Sequence, residues 1–332
     1  MAWLVAGILA WFASGLRADE AKEIRLGHFP NISHAQGILA HATGEYEKKL
    51  GVPIRWSVFN AGPTAIEALL VGAIDAAYVG PNPALNGYIK TRGEGLRIIA
   101  GGASGGAALV VRADTGITSE KDFVGKIVAT PQLGNTQDVA ARAWFLSKGY
   151  KLKEQGGNLT IIPLSHSDQL LLFQKKEIDA AWTIEPWVSF LEQQAKGRVF
   201  LEENILWPNG RYVTVHLIVS AKFLRKNPGL TKKLLQAHVE ITQKINRDKK
   251  VMGQILNREI GKLTSKELPV SIFESAWKRV EITWDPVSAS LKKSAEDSFK
   301  VGFFQENPDL SGIYDLSLLN AILKEKGLPA VQ

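Results

Sequence analysis

An internal echo narrows the folds open to this chain more than its composition does. Ile74-Asp75-Ala76-Ala77-Tyr78 returns as Ile178-Asp179-Ala180-Ala181-Trp182, and each copy follows an apolar stretch, Leu69-Leu70 in one case and Leu170-Leu171-Leu172 in the other. Each copy then runs into a proline that opens a helix, as suits a residue with no N–H and a fixed φ. Self-similarity with matched flanks points to two similar halves. The 332 residues leave room for both, since a domain takes about 100 to 200 residues.

From residue 22 onward short apolar runs alternate with helix-length amphipathic stretches, the order of a mostly parallel sheet flanked by helices. Strands are expected at 24–27, 54–59, 74–79 and 96–100. Between them lie a helix from about His34 to Leu50 behind the cap-type residues Asn31 and Ser33, one opened by Pro63, and one after Gly80-Pro81-Asn82-Pro83. Gly101 to Gly106 reads as a small, flexible link, and strand character resumes at 107–111. The pattern then restarts, with strands at 126–129, 159–163 and 178–184 and helices at 136–148, 167–175 and from Pro186. After a further strand at 213–220 the chain is mostly helical, with breaks at Asn227-Pro228 and Asn307-Pro308. The expected division is an N-terminal export segment over 1–21, a first lobe over 22–106, a second lobe over 107–219 with hinge strands at 107–112 and 213–219, and a completion of the first lobe over 220–332.

Composition excludes more than it assigns. There is no cysteine, which removes thiolate nucleophiles, Cys-ligated zinc, iron–sulfur clusters, disulfides and a lipobox anchor. The formal charge of +7 comes mostly from residues after 220, where pairs such as Lys232/Lys233 and Lys292/Lys293 read as solvated helix faces. No aromatic or Gly-rich interleaving marks a nucleic-acid surface there. Ala2 to Gly15 is apolar or small, short for a bilayer span of about 20 residues but suited to a secretory h-region. Export is therefore expected, with small residues at Ala13, Gly15 and Ala18 offering cleavage points, although no Lys or Arg precedes the run.

Enzyme motifs do not hold up. Gly102-Ala103-Ser104-Gly105-Gly106 fits G-x-S-x-G, but a nucleophile elbow needs a helix next, and Ala107 to Val111 reads as strand. His28, His34 and His41 match no zinc spacing, and no G-x-x-x-x-G-K-[ST] or G-x-G-x-x-G loop follows a strand. No catalytic residue, metal or cofactor is assigned.

Ligands of open parallel sheets bind beyond the carboxyl ends of the strands. Helix N-termini there offer unpaired N–H groups and about half a positive charge, enough to hold an anion without Lys or Arg. The candidates are Asn31 and His34, Asn82, Ser104 and Gly105, the loop Gly134-Asn135-Thr136-Gln137, and Glu185 with Trp187. Glu185 has two readings: it caps the helix from Pro186, or it meets the cationic end of a zwitterion. Trp182 and Trp187 are suited either to wall an apolar ligand stem or to fill the core.

Several of these segments occur together in order: Arg25 to His34 (RLGHFPNISH), Phe59 to Pro63 (FNAGP), Gly80 to Pro83 (GPNP), Gly102 to Gly106 (GASGG), Thr130 to Asp138 (TPQLGNTQD) and Glu185 to Trp187 (EPW). In this the chain resembles the sulfonate, nitrate and taurine group of ABC-importer substrate-binding proteins. The resemblance implies a type II periplasmic binding protein fold: two α/β lobes on a two-strand hinge, closing over one solute. It further implies a monomeric periplasmic receptor that hands a small anionic or zwitterionic solute, an aliphatic sulfonate or taurine first among them, to a membrane permease with a separate ATPase. By position, Asn31, His34, Asn82, Ser104, Gly134 to Gln137 and Glu185 would line its cleft. The wider group also includes pyrimidine binders, so nitrate and a thiamine-related pyrimidine stay open as solutes.

Overall fold

The computed structural model describes residues 21–332, so the export segment expected over 1–21 lies, apart from Ala21, outside the described residues. Eleven strands are described: β1 (Ile24–His28), β2 (Ile54–Val58), β3 (Ala76–Val79), β4 (Leu96–Gly105), β5 (Ala107–Arg112), β6 (Ile127–Thr130), β7 (Thr160–Pro163), β8 (Ala180–Ile184), β9 (Gly197–Glu202), β10 (Val213–Ser220) and β11 (Val280–Ile282). They form two sheets, ordered β11-β4-β10-β3-β1-β2 and β7-β6-β8-β5-β9.

Both sheets are mixed rather than simply parallel. β1, β2 and β3 pair in parallel, while β10 lies antiparallel between β3 and β4, and β11 is antiparallel to β4. In the second sheet β6, β7 and β8 pair in parallel, and β5 lies antiparallel between β8 and β9. The repeated pentapeptide occupies the same place in each. Asp75 and Asp179 stand just before β3 and β8, and each carboxylate accepts an N–H at the beginning of the neighbouring parallel strand, from Arg25, second in β1, and Ile127, first in β6, at 2.9 Å. The echo is thus a structural duplication: an aspartate pins the register of the strand beside it.

Alternation along the strands accounts for the layers. In the first sheet Leu26, Tyr78, Leu217 and Val219 face one core with Leu234 and Leu256 of the long helices Pro228–Arg247 and Lys249–Thr264. Ala77, Val79, Ile98 and Ile218 face the other, against Leu85 and Leu291. The second sheet divides likewise, Leu109, Val128 and Trp182 to one side and Ala108, Ala129 and Ala181 to the other. Each fully buried Leu or Ile is worth about 1.5–3 kcal/mol, so the C-terminal helices are held to the first sheet by their apolar stripes.

Three details differ from the sequence reading. Gly101 to Gly106 is not a flexible link, since β4 continues through it to Gly105. Glycine is needed there because a Cβ on Gly101 would lie 2.0 Å from the Asp285 carbonyl oxygen. The chain crosses between sheets at Gly105 and Gly106, whose φ values of +81° and +86° suit only glycine. Val213–Ser220, placed with the second lobe, pairs within the first sheet, so the return crossing is the segment 203–212. Finally, the sequence reading expects no strand at β9, and β11 falls in the stretch expected to be mostly helical.

Burial lowers the His28, His166, His216 and His238 rings to about pH 4, against an ordinary 6.5. Between those values the unfolded chain binds protons that the native state refuses, so these groups remove stability as pH falls from 6.5 toward 4. Glu203, raised by burial to about 7, and Glu185, also raised, act in the opposite sense, but His34 and His41 are lowered too, so two carboxyls stand against six histidines. The melting temperature is expected to be lower at pH 5 than at pH 7.5, as followed by circular dichroism. An equal or higher value at pH 5 would contradict these burials.

Candidate ligand-binding site

A cavity of about 830 Å³ lies between the two sheets. Its walls come from the carboxyl ends of all six mutually parallel strands: residues 29–31, 33 and 34 after β1, Asn60 and Ala61 after β2, Gly80 after β3, residues 131–133 and 135–137 after β6, residues 163–167 at the end of β7 and beyond, and Ile184 and Trp187 at the end of β8 and beyond. β10 runs the other way, so its start, Thr214 and Val215, reaches the same edge. No charged side chain lines the cavity among the described residues.

Three of the junctions deliver polar side chains that cap the helix they open. Asn31 Oδ1 accepts the Ser33 N–H at 3.1 Å, and Asn135 Oδ1 accepts the Thr136 N–H at 3.0 Å at the head of the helix Thr136–Ser147. Ser165 Oγ accepts the Asp168 N–H at 3.2 Å in front of the helix His166–Gln174. The helices Gly62–Leu70 and Pro81–Lys90 begin at Ala61 and Gly80 with no side-chain cap. The Phe29 N–H donates to His34 Nδ1 at 3.3 Å, which assigns the ring proton to Nε2. Burial holds His34 well below 6.5 and His166 at about 4, so both wall histidines are neutral at pH 7. Two hydroxyls, Thr136 Oγ1 and Thr214 Oγ1, are buried with no partner.

Asn31, His34, Asn135, Thr136, Gln137 and Trp187 therefore share this cavity, while five other expected site residues do not line it. Asn82 is buried on its helix, where Nδ2 donates to Ser298 Oγ at 2.9 Å. Ser104 and Gly105 sit at the end of β4, paired with β10 and β11, so a neighbouring strand separates them from the cavity. Gly134 shapes the turn, with φ +73°, and its N–H goes to Asp138 at 3.0 Å. Glu185 is fully buried and caps: its carboxylate accepts the Ser189 N–H and hydroxyl at 3.0 and 2.9 Å and pairs with Arg279 at 2.8 Å. Its pKa is raised by burial, against the lowering effect of Ser189 and Arg279. Phe29, Ser165, His166 and Thr214 line the cavity without having been singled out. Pro163-Leu164-Ser165-His166 carried the same signal as the other junctions, a cap-type serine between a strand and a helix.

The units also meet on both flanks of the cavity. Asn86 Nδ2 reaches the Gly134 carbonyl at 3.4 Å on one side. On the other, Gln193 Nε2 reaches Ser275 Oγ at 3.1 Å, and Arg279 holds Glu185, Glu192 and Glu202 together.

Two α/β units with an uncharged cavity between their strand ends constitute a periplasmic binding protein fold. Residues 17–256 match the model of the NMT1-like family, and the chain belongs to that family. It is 26% identical to a putative aliphatic sulfonates-binding protein of Bacillus subtilis, over 97% of this chain and 94% of that one. A putative binding protein of Brucella abortus is 26% identical, but that match spans only 59% of this chain and 58% of the relative. Among solved structures, the periplasmic nitrate-binding protein NrtA of Synechocystis superposes with a TM-score of 0.77 at 18% identity, over 93% of this chain and 90% of that one. These relatives are binding proteins. Among the described residues no three His, Asp or Glu side chains gather in a metal-holding group, and no helix is long and apolar enough to cross a membrane.

Removing one partner of a buried ion pair leaves the other uncompensated, at a cost of about 3–5 kcal/mol. Arg279→Met is thus expected to lower the melting temperature by up to roughly 6–20 °C, taking the about 2–4 °C per kcal/mol of chains of about 150–250 residues, with less in a longer chain. Adding Glu185→Gln should recover part of that loss. Scanning calorimetry of the single and double variants checks it, and a double variant no more stable than Arg279→Met would show that the pair is not what holds Glu185.

Proposed function

We propose that this chain is the solute-binding receptor of an ABC importer and that it holds a small organic anion in the cavity between its units. One observation carries this reading: a cavity with no charged lining residue is nonetheless ringed by helix starts from both units. Backbone N–H groups and aligned peptide dipoles favour an anion at such a place, and the dry surroundings strengthen each contact. An acceptor with several oxygens, such as a sulfonate, takes N–H groups and hydroxyls from both units at once. Nitrate would leave most of the 830 Å³ empty, which favours an organic body. The sulfonate- and nitrate-binding relatives support the same class of ligand.

Binding then drives closure for a simple reason. Only contacts that exist when the units are together favour the closed form, so a ligand touching both shifts the equilibrium toward it. The crossings at Gly105–Gly106 and 203–212 take up the rotation. Export to the periplasm, action as a monomer, and delivery to a permease with a separate ATPase complete the proposal and follow from the family resemblance.

A ligand that binds only the folded state raises its melting temperature, so aliphatic sulfonates should do so in a thermal-shift screen. A hydrogen bond to a charged group is worth about 1.5–3 kcal/mol, roughly ten- to hundredfold in affinity. Asn135→Ala with Thr136→Ala should therefore weaken sulfonate binding at least tenfold by titration calorimetry while the unliganded protein stays folded. Unchanged affinity would remove this helix start from the site.

A further inference from the structure

We infer that this site, taken as an anion receptor, selects a monoanion with a flat apolar body and no ammonium group. The cavity offers an ammonium no counter-charge. No described lining residue is acidic, and the carboxylates in the adjoining turns are already engaged. Glu185 is held by Arg279 and Ser189. Asp138 takes the Thr130 hydroxyl at 2.7 Å, the Gly134 N–H and Arg142. Asp168, exposed at the rim, accepts the Ser165 hydroxyl at 2.6 Å. A zwitterion such as taurine would have to strip water from its ammonium without a counter-charge, in front of dipoles that repel it.

The remaining wall suits a ring. Phe29 stacks on His34 in the first unit, centroids 4.3 Å apart at 28°, and His166 stacks on Trp187 in the second, 5.7 Å apart at 9°. Both histidines are neutral, so each pair offers an aromatic face rather than a charge. The polar end is defined by the two unpartnered hydroxyls, one from each unit: Thr136 is 5% exposed and Thr214 3%. Gly80 lies between them, where a Cβ would come within 2.5 Å of Thr136 Oγ1 and 3.6 Å of the Thr214 carbonyl oxygen. The two units meet at that end and each supplies it a hydroxyl without a partner, which places the anionic head there, with the body extending along the aromatic pairs.

Titration calorimetry of the full chain with ethanesulfonate, taurine and benzenesulfonate separates the possibilities. Taurine differs from ethanesulfonate only by its ammonium, and it should bind at least tenfold more weakly. Benzenesulfonate should bind at least tenfold more tightly than ethanesulfonate. Trp187→Ala should cost benzenesulfonate at least tenfold and ethanesulfonate less than threefold, and Thr214→Val should weaken both together, with melting curves establishing that each variant folds. Taurine binding as well as ethanesulfonate, or a Trp187→Ala loss equal for both sulfonates, would overturn the selectivity and leave the anion-receptor reading intact. Failure of all three to bind would overturn both.

Discussion

The direction of six strands governs this molecule. β1, β2 and β3 in one sheet and β6, β7 and β8 in the other end at the same gap. A right-handed helix follows each such strand, so its unsatisfied N–H groups must face that gap or be capped there. The arrangement brings helix starts to a cavity whose described lining carries no charged side chain. It also spares the closed form the cost of burying a fixed charge when no ligand is present.

The antiparallel strands set where the chain passes from one unit to the other. Because β5 and β10 run against their neighbours, the chain passes between sheets beside the cavity edge, through Gly105–Gly106 and 203–212. Arg279 sits at this seam and draws Glu185, Glu192 and Glu202 of the second unit toward the first. Glu203, within the return crossing, is clasped by the indole N–H groups of Trp182 and Trp207 at 2.7 and 3.2 Å. Charge pairing at the seam and helix starts at the cavity therefore lie on separate groups, and none of these carboxylates lines the cavity.

Much of the cavity was legible because local capping and ligand presentation use the same residues. Asn31, Asn135 and Thr136 are cap-type residues at strand-to-helix junctions, and a junction in a parallel sheet lies at the binding edge whatever else the fold does. The signal fails where strand order matters. Ser104 ends a strand like the others, but β10 comes between β4 and the cavity. Asn82 has the right neighbours in sequence, yet its helix turns it toward Ser298 on a helix over two hundred residues away. Glu185 could not be decided from sequence because its partner Arg279 lies 94 positions later.

The sequence by itself determined the duplicated α/β units, the aspartates that register them and most of the polar junctions, since these depend on side-chain period, capping and proline placement within a few residues. Tertiary structure alone decided which junctions share a cavity, that its described wall carries no charge, and that Glu185 pairs with Arg279 where the units meet. Those outcomes depend on strand order and on partners distant in the chain, and no local pattern encodes the distance between groups that only folding brings together.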